Sequence, residues 1–257
     1  MRPCLSKPIE MRGKQYGGEK GLFCLPLVAA DQADLFAQAR KIAAHAPDVV
    51  EWRSDFYADL SEASLAGAAA GLRRILGDAL LLFTLRAKAE GGHKELAPAD
   101  RQAAIEGALK TRVFDLVDVE LCSGPAMVKA VIAAAHACGA RVILSFHDFA
   151  ETPANEVLLA KVAAMVESGA DVAKFACMPR DPGDVLRVLE VTLKARRTFP
   201  TVALCSMSMG GPGCLSRVAG FQYGSDMAFA LGDKSSAPGQ IPIEEARSMA
   251  EALARYA

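Results

Sequence analysis

One lysine stands inside an apolar run of strand type, Ala170-Asp171-Val172-Ala173-Lys174-Phe175-Ala176-Cys177-Met178-Pro179. An unpaired ammonium is costly to bury, and such a site lowers the amine's pKa. An amine that is neutral near pH 7 can attack a ketone and form a Schiff base, which makes Lys174 a candidate nucleophile. The competing reading is a strand-end lysine that snorkels to water or pairs with a carboxylate. His147 ends the preceding apolar run, Val142-Ile143-Leu144-Ser145-Phe146. A proton shuttle beside an imine-forming lysine is what carbinolamine formation and removal of the α-hydrogen both require. His45, His93 and His136 fall in expected helices or a loop. Glu90 is the carboxylate best placed to hold one imidazole nitrogen and fix the tautomer. Beside Gly91 and Gly92 it reads equally well as a solvated loop acid.

Arg53, Arg86 and Arg217 stand at or just beyond strand ends. A planar guanidinium grips a carboxylate or phosphate with two prongs, so together they point to an anionic ligand. Glu51 lies two residues before Arg53 on the same strand face, where it either neutralises that arginine or receives a ligand hydroxyl. The stretch Ser235-Ser236-Ala237-Pro238-Gly239-Gln240 has the small-residue composition of a lid. Ser236 and Gln240 would then meet a polyhydroxylated ligand on closing; otherwise the stretch is an ordinary connection.

These residues need elements that bring them together. Continuous Leu/Val/Ile/Phe runs recur at Leu22–Val28, Val49–Arg53, Leu80–Arg86, Leu116–Leu121, Arg141–His147, Val172–Met178 and Thr201–Met207, with an eighth within Phe221–Ala230. Helical stretches follow each, near 31–46, 62–76, 99–112, 125–138, 154–168, 182–197 and 211–219, and Ile243–Tyr256 closes the chain. Unbroken apolar strands covered on both faces are parallel strands, and eight strand–helix units predict an α/β fold of the (β/α)8 TIM-barrel type. A doubly wound sheet competes, but no GxGxxG follows the first strand. Residues 9–20 predict a short N-terminal β-hairpin capping the barrel. One domain is expected over 1–257. In such a barrel, polar residues at the C-terminal strand ends converge on one mouth.

The 257 residues carry a net charge of −1 and 52% hydrophobic residues, so no basic footprint argues for nucleic acid. No apolar stretch is long enough to cross a membrane, and the first residues lack an apolar signal core, so a cytoplasmic protein is expected. Seven cysteines without a CxxC pair or a Cys/His cluster read as small buried hydrophobes, and no metal site is expected.

Seven motifs in order resemble the type I 3-dehydroquinate dehydratases, class I aldolase-like barrels of the shikimate pathway. They are Glu51-Trp52-Arg53-Ser54-Asp55; Phe83-Thr84-Leu85-Arg86 running into Glu90-Gly91-Gly92; Ser145-Phe146-His147-Asp148-Phe149 with Thr152-Pro153; and Ala173 to Pro179. Met207-Ser208-Met209-Gly210, Ser216-Arg217 with Ala219-Gly220, and Ser236 to Gln240 complete the set. The resemblance implies a lyase that converts 3-dehydroquinate to 3-dehydroshikimate plus water. Lys174 would carry the imine, His147 would move protons, and Glu90 would orient it. Arg217 would take the substrate carboxylate, while Glu51, Arg53, Arg86, Ser236 and Gln240 hold ring hydroxyls and close the site. It implies no metal or organic cofactor, a small-molecule partner only, and a homodimer. The length leaves no room for a fused shikimate dehydrogenase domain, so a monofunctional enzyme is expected. Two departures stand out: Pro26, where some relatives present a hydroxyl, and Gly210-Gly211-Pro212-Gly213, poorer in charge than in relatives. Another Schiff-base barrel, such as an aldolase or transaldolase, and a non-catalytic sensor of a carboxylated ring stay open as alternatives.

Overall fold

The structure is a computed structural model that describes residues 2–256; Met1 and Ala257 lie outside the described residues. The chain opens on an antiparallel hairpin, β1 (Ile9–Met11) and β2 (Lys14–Tyr16), joined by a two-residue turn at Arg12-Gly13. Strand and helix then alternate: β3 (Leu22–Leu27), α1 (Gln32–Ala43), β4 (Val49–Arg53), α2 (Glu62–Leu76), β5 (Leu80–Thr84), α3 (Pro98–Lys110), β6 (Leu116–Glu120) and α4 (Pro125–Ala137). The second half holds β7 (Arg141–Asp148), α5 (Asn155–Glu167), β8 (Val172–Cys177), α6 (Pro182–Thr198), β9 (Ala203–Ser208), α7 (Cys214–Ala219), β10 (Met227–Phe229) and α8 (Ile243–Arg255). Helix starts follow local chemistry. Asp31 and Asp181 cap α1 and α6 by accepting from the backbone three residues on, and Pro98, Pro125 and Pro182 open helices where a missing N–H costs nothing.

All eight long-range strands are parallel, in the order β10-β3-β4-β5-β6-β7-β8-β9. The two ends of that order meet through Asp226. Its N–H donates to Leu204 O at 2.7 Å and its carboxylate accepts the Leu204 N–H at 2.8 Å. One step up, Ser225 Oγ accepts the Ser206 N–H at 3.1 Å. The sheet therefore closes into the expected (β/α)8 barrel, with side chains replacing ladder carbonyls at the seam.

Some boundaries differ from the sequence expectation. β5 stops at Thr84 rather than Arg86, because the Leu85 carbonyl is taken by Arg101 Nε from α3 at 2.9 Å instead of by a neighbouring strand. α7 begins only at Cys214, after the Gly210–Gly213 stretch, and β10 is three residues long.

Side chains alternate across each strand. Outward residues such as Leu27, Trp52, Phe83, Val119, Leu144 and Phe175 pack beneath the helices. Inward residues Leu22, Cys24, Val49, Leu80, Leu116, Ile143, Val172 and Cys205 fill the lower barrel, which Leu5 and the fully buried Tyr16 of the hairpin plug from below. Higher on the same inward faces the sequence turns polar at Glu51, Thr84, Asp118, Ser145 and Lys174, all at most 3% exposed. That switch within β4 to β8 raises the site on an apolar floor.

Candidate active site

Lys174 points up from β8 and is 3% exposed. Its Nζ donates to Asp118 Oδ2 at 2.8 Å and sits 4.7 Å from the centre of the Phe229 ring. The burial expected from sequence is present; the isolation is not, because the ammonium has a counterion. Asp118 in turn receives two prongs from Arg86, at 2.9 and 3.1 Å, and the Ser145 hydroxyl at 2.6 Å. Burial would raise the Asp118 pKa, but the charges of Arg86 and Lys174 overcome it and hold this carboxyl far below its usual 3.8. Glu120, two residues along β6, accepts from Arg86 at 2.7 Å and from the Ala87 N–H at 3.0 Å, and pairs with Arg101 from α3.

His147 stands on β7, beside β8, one step nearer the mouth than Ser145, which pairs with Lys174 in register. Glu90 Oε2 accepts both the His147 backbone N–H at 2.8 Å and Nδ1 at 2.9 Å. Because that oxygen already takes a backbone donor, the hydrogen-bond network assigns the ring proton to Nδ1, which leaves Nε2 free as a base. Burial first, then the nearby positive charges of Arg86 and Lys174, hold the imidazole pKa well below 6.5, so the ring is neutral at neutral pH. Burial pushes Glu90 the other way, up to about 7, with the Glu120 charge adding to it. The Glu90 loop fits so closely that a Cβ on Gly92 would lie 2.1 Å from Arg86 O, so the bend that carries Glu90 inward needs glycine there.

The three arginines differ sharply. Arg53 Nε and Nη2 each lie 2.8 Å from an Asp55 oxygen, and Arg86 is held by Asp118, Glu120 and Ser145, mainly through Nη1. Arg217, 1% exposed, has no carboxylate partner among the described residues. It donates to Pro238 O at 2.9 Å and Phe229 O at 3.3 Å, its Nε is unpartnered, and burial lowers its pKa to about 10. Glu51 accepts from Thr84 at 2.8 Å rather than from Arg53. In the 235–240 loop Gln240 receives the Ser236 N–H at 3.1 Å, and the loop touches the barrel through Arg53 to Ser236 O, Gly210 N–H to Pro238 O and the Arg217 contact.

Glu51, Arg53, Arg86, Glu90, His147, Lys174, Arg217, Ser236 and Gln240 thus line one cleft at the C-terminal mouth of the barrel. Phe149, Met207, Met209 and Phe229 give it apolar walls. Pro26, opposite Glu51 in register, is not part of the lining. Sequence reasoning missed Asp118, Glu120 and Asp55. The signal for the first two was Val117-Asp118-Val119-Glu120, an alternation that puts both acids on one face of a strand. No group of three or more His, Cys, Asp or Glu among the described residues could hold a metal ion.

The family model described as type I 3-dehydroquinase matches residues 23–256. The chain belongs to the type I 3-dehydroquinase family. Within it, 3-dehydroquinate dehydratases of Albidiferax ferrireducens and Geobacillus thermodenitrificans are similar at 41% and 39% identity. The first alignment covers 93% of this chain and 92% of the relative, the second 96% of each. The crystal structure of the Geobacillus kaustophilus 3-dehydroquinate dehydratase superposes with a TM-score of 0.97 at 37% identity over 100% of both chains. That of the Clostridium difficile type I enzyme, with covalently modified comenic acid, gives 0.94 at 31%, again over 100% of both. A 3-keto-L-gulonate-6-phosphate decarboxylase from Vibrio cholerae, 15% identical with a TM-score of 0.59, shares the barrel alone. Membership of the type I 3-dehydroquinase family sets aside the transaldolase and sensor alternatives.

Proposed function

We infer that this chain is a hydro-lyase that dehydrates 3-dehydroquinate to 3-dehydroshikimate through a Schiff base on Lys174. The observation that carries the reading is the combination in one cleft of a buried lysine, a neutral imidazole on the next strand, and a buried guanidinium with no anion of its own. Lys174 Nζ attacks the C3 ketone, and loss of water leaves an iminium that draws electrons from C2. His147 Nε2 takes the C2 proton and returns one to the C1 hydroxyl as it departs as water, and hydrolysis of the imine frees the product. Glu90 holds the imidazole in the tautomer this requires. Arg217, lacking a carboxylate partner, receives the substrate carboxylate. Glu51, Arg53, Arg86, Ser236 and Gln240 face the ring hydroxyls, with Arg53 and Arg86 held in place by Asp55, Asp118 and Glu120. Both ionic steps use only side chains of this chain.

The reading extends to a single barrel domain over 1–257, working in the cytoplasm as a homodimer. Among the described residues no helix is long and apolar enough to cross a membrane. α8 and the Tyr256 that follows it present Met249, Leu253 and Tyr256 to solvent, a stripe for a second copy to cover, and a monomer in sedimentation equilibrium would remove the dimer.

The test is intact-mass analysis with site mapping after incubation with 3-dehydroquinate and borohydride. One ligand-sized adduct on Lys174, absent in Lys174→Ala together with turnover, is the expected result. Full activity in Lys174→Ala would sink the Schiff-base reading.

A further inference from the structure

We propose that Asp118 is a further catalytic residue, the fixed counterion that keeps one N–H of Lys174 from the resting ammonium through to the iminium. The inference rests on the Schiff-base reading above. Imine formation converts an ammonium and a ketone into an iminium and water. Two of the three N–H protons leave with the ketone oxygen, one stays on nitrogen, and the positive charge is the same before and after. A carboxylate that accepts one N–H of the ammonium can therefore accept the sole N–H of the iminium without moving. Asp118 Oδ2 is such an acceptor, 2.8 Å from Nζ and fully buried.

Its position is fixed from three sides. Arg86 grips it with two prongs and Ser145 donates a hydroxyl at 2.6 Å, while β6 holds the backbone between β5 and β7. Asp118 lies beneath the cleft lining, so it holds the nitrogen from below and leaves the upper side open to the ketone. No other group facing the nitrogen can take this part. From β3 and β9 come the thiols Cys24 and Cys205, both pushed up by burial and uncharged. From β4, Glu51 is engaged by Thr84 and Arg53 by Asp55. β7 contributes the neutral His147 with Glu90 behind it, and α7 the cation Arg217. Glu120 on β6 is turned to Arg86 and Arg101. β10 offers the Phe229 ring face, which favours a cation but accepts no hydrogen bond of comparable strength. Sharing Asp118 with Arg86 also tempers its pull on the nitrogen, which must pass through a neutral enamine when His147 removes the C2 proton.

Borohydride reduces the protonated imine, so the pH dependence of trapping reads the iminium proton directly. In Asp118→Asn the trapping midpoint should fall by about 1–3 pH units, the usual effect of losing one close opposite charge. Above that lowered midpoint kcat should fall by about tenfold for each further pH unit, and lowering the pH should restore it. A merely structural Asp118 would lower activity equally at every pH. Should the variant not fold, wild-type protein labelled with 15N-lysine and saturated with 3-dehydroshikimate supplies the test. The imine nitrogen should remain protonated from about pH 6 to 9. Trapping with an unshifted midpoint in Asp118→Asn, or titration of the wild-type imine within that range, overturns the inference. A wild-type enzyme that gives no Lys174 adduct at all overturns the Schiff-base reading first.

Discussion

Glu90 keeps a proton that an exposed glutamate would have lost, and this has a thermodynamic cost with a definite sign. Its folded-state pKa is raised from the usual 4.5 to about 7, with burial the largest cause. Between those values the folded chain binds a proton that the unfolded chain has released, so stability falls as pH rises through that window. The size is about 3 kcal/mol, at roughly 1.4 kcal/mol per unit. Glu90→Gln removes this dependence. Thermal melts should show the variant gaining stability relative to wild type between pH 5 and pH 8, while kcat above pH 7, where Glu90 is ionised, falls by about tenfold or more as His147 Nδ1 loses its anionic acceptor. A stability difference that is the same at both pH values would mean that Glu90 is already ionised in the folded protein. Lys174, His147 and Glu90 were legible in the sequence because each is an anomaly beside an apolar run or a glycine pair. Asp118 was not, since a strand-end search passes over a residue in the middle of β6, and its role exists only once β5, β6, β7 and β8 lie side by side.

The elements show the same division between what local pattern dictates and what packing adds. Eight strands and eight helices were readable from unbroken apolar runs and capping residues, because those signals are local. The early end of β5 was not, because it depends on Arg101 reaching from α3 across the layer to the Leu85 carbonyl. The 235–240 loop is a second case: its composition suggested a lid, but what it closes on is set by a distant contact. Gly239 has φ +80°, and a Cβ there would lie 2.0 Å from Gly210 O. Gly239→Ala therefore meets both left-handed backbone and a backbone clash, worth about 1–2 kcal/mol or more against the closed position. The loop should lift from Arg53 and Arg217, raising KM for 3-dehydroquinate by about tenfold, at one decade per 1.4 kcal/mol. The melting temperature should change little, since the barrel ladder is untouched. An unchanged KM would show that closure of this loop does not contribute to binding.

Across the whole molecule, the barrel separates the end that holds it together from the end that reacts. The inward faces of β4 to β8 begin apolar and turn polar, so the lower lumen is a plugged hydrophobic core and the upper lumen a charged cluster walled by apolar residues of β9 and β10. Tyr16 is the test of that separation, because it belongs wholly to the lower end: fully buried, packed with the inward residues, and carrying a hydroxyl with no hydrogen-bond partner. Tyr16→Ala should lower stability by about 3–5 kcal/mol, as for other large buried rings. Tyr16→Phe removes an unsatisfied hydroxyl from the interior and should be neutral or stabilising by about 1 kcal/mol. At a temperature where both variants remain folded, kcat and KM should match wild type, because no charged group of the upper cluster touches the hairpin. Loss of kcat in folded Tyr16→Ala, in step with its loss of stability, would show instead that the floor of the barrel sets the height of Lys174, and that the two ends of the lumen are one mechanical unit.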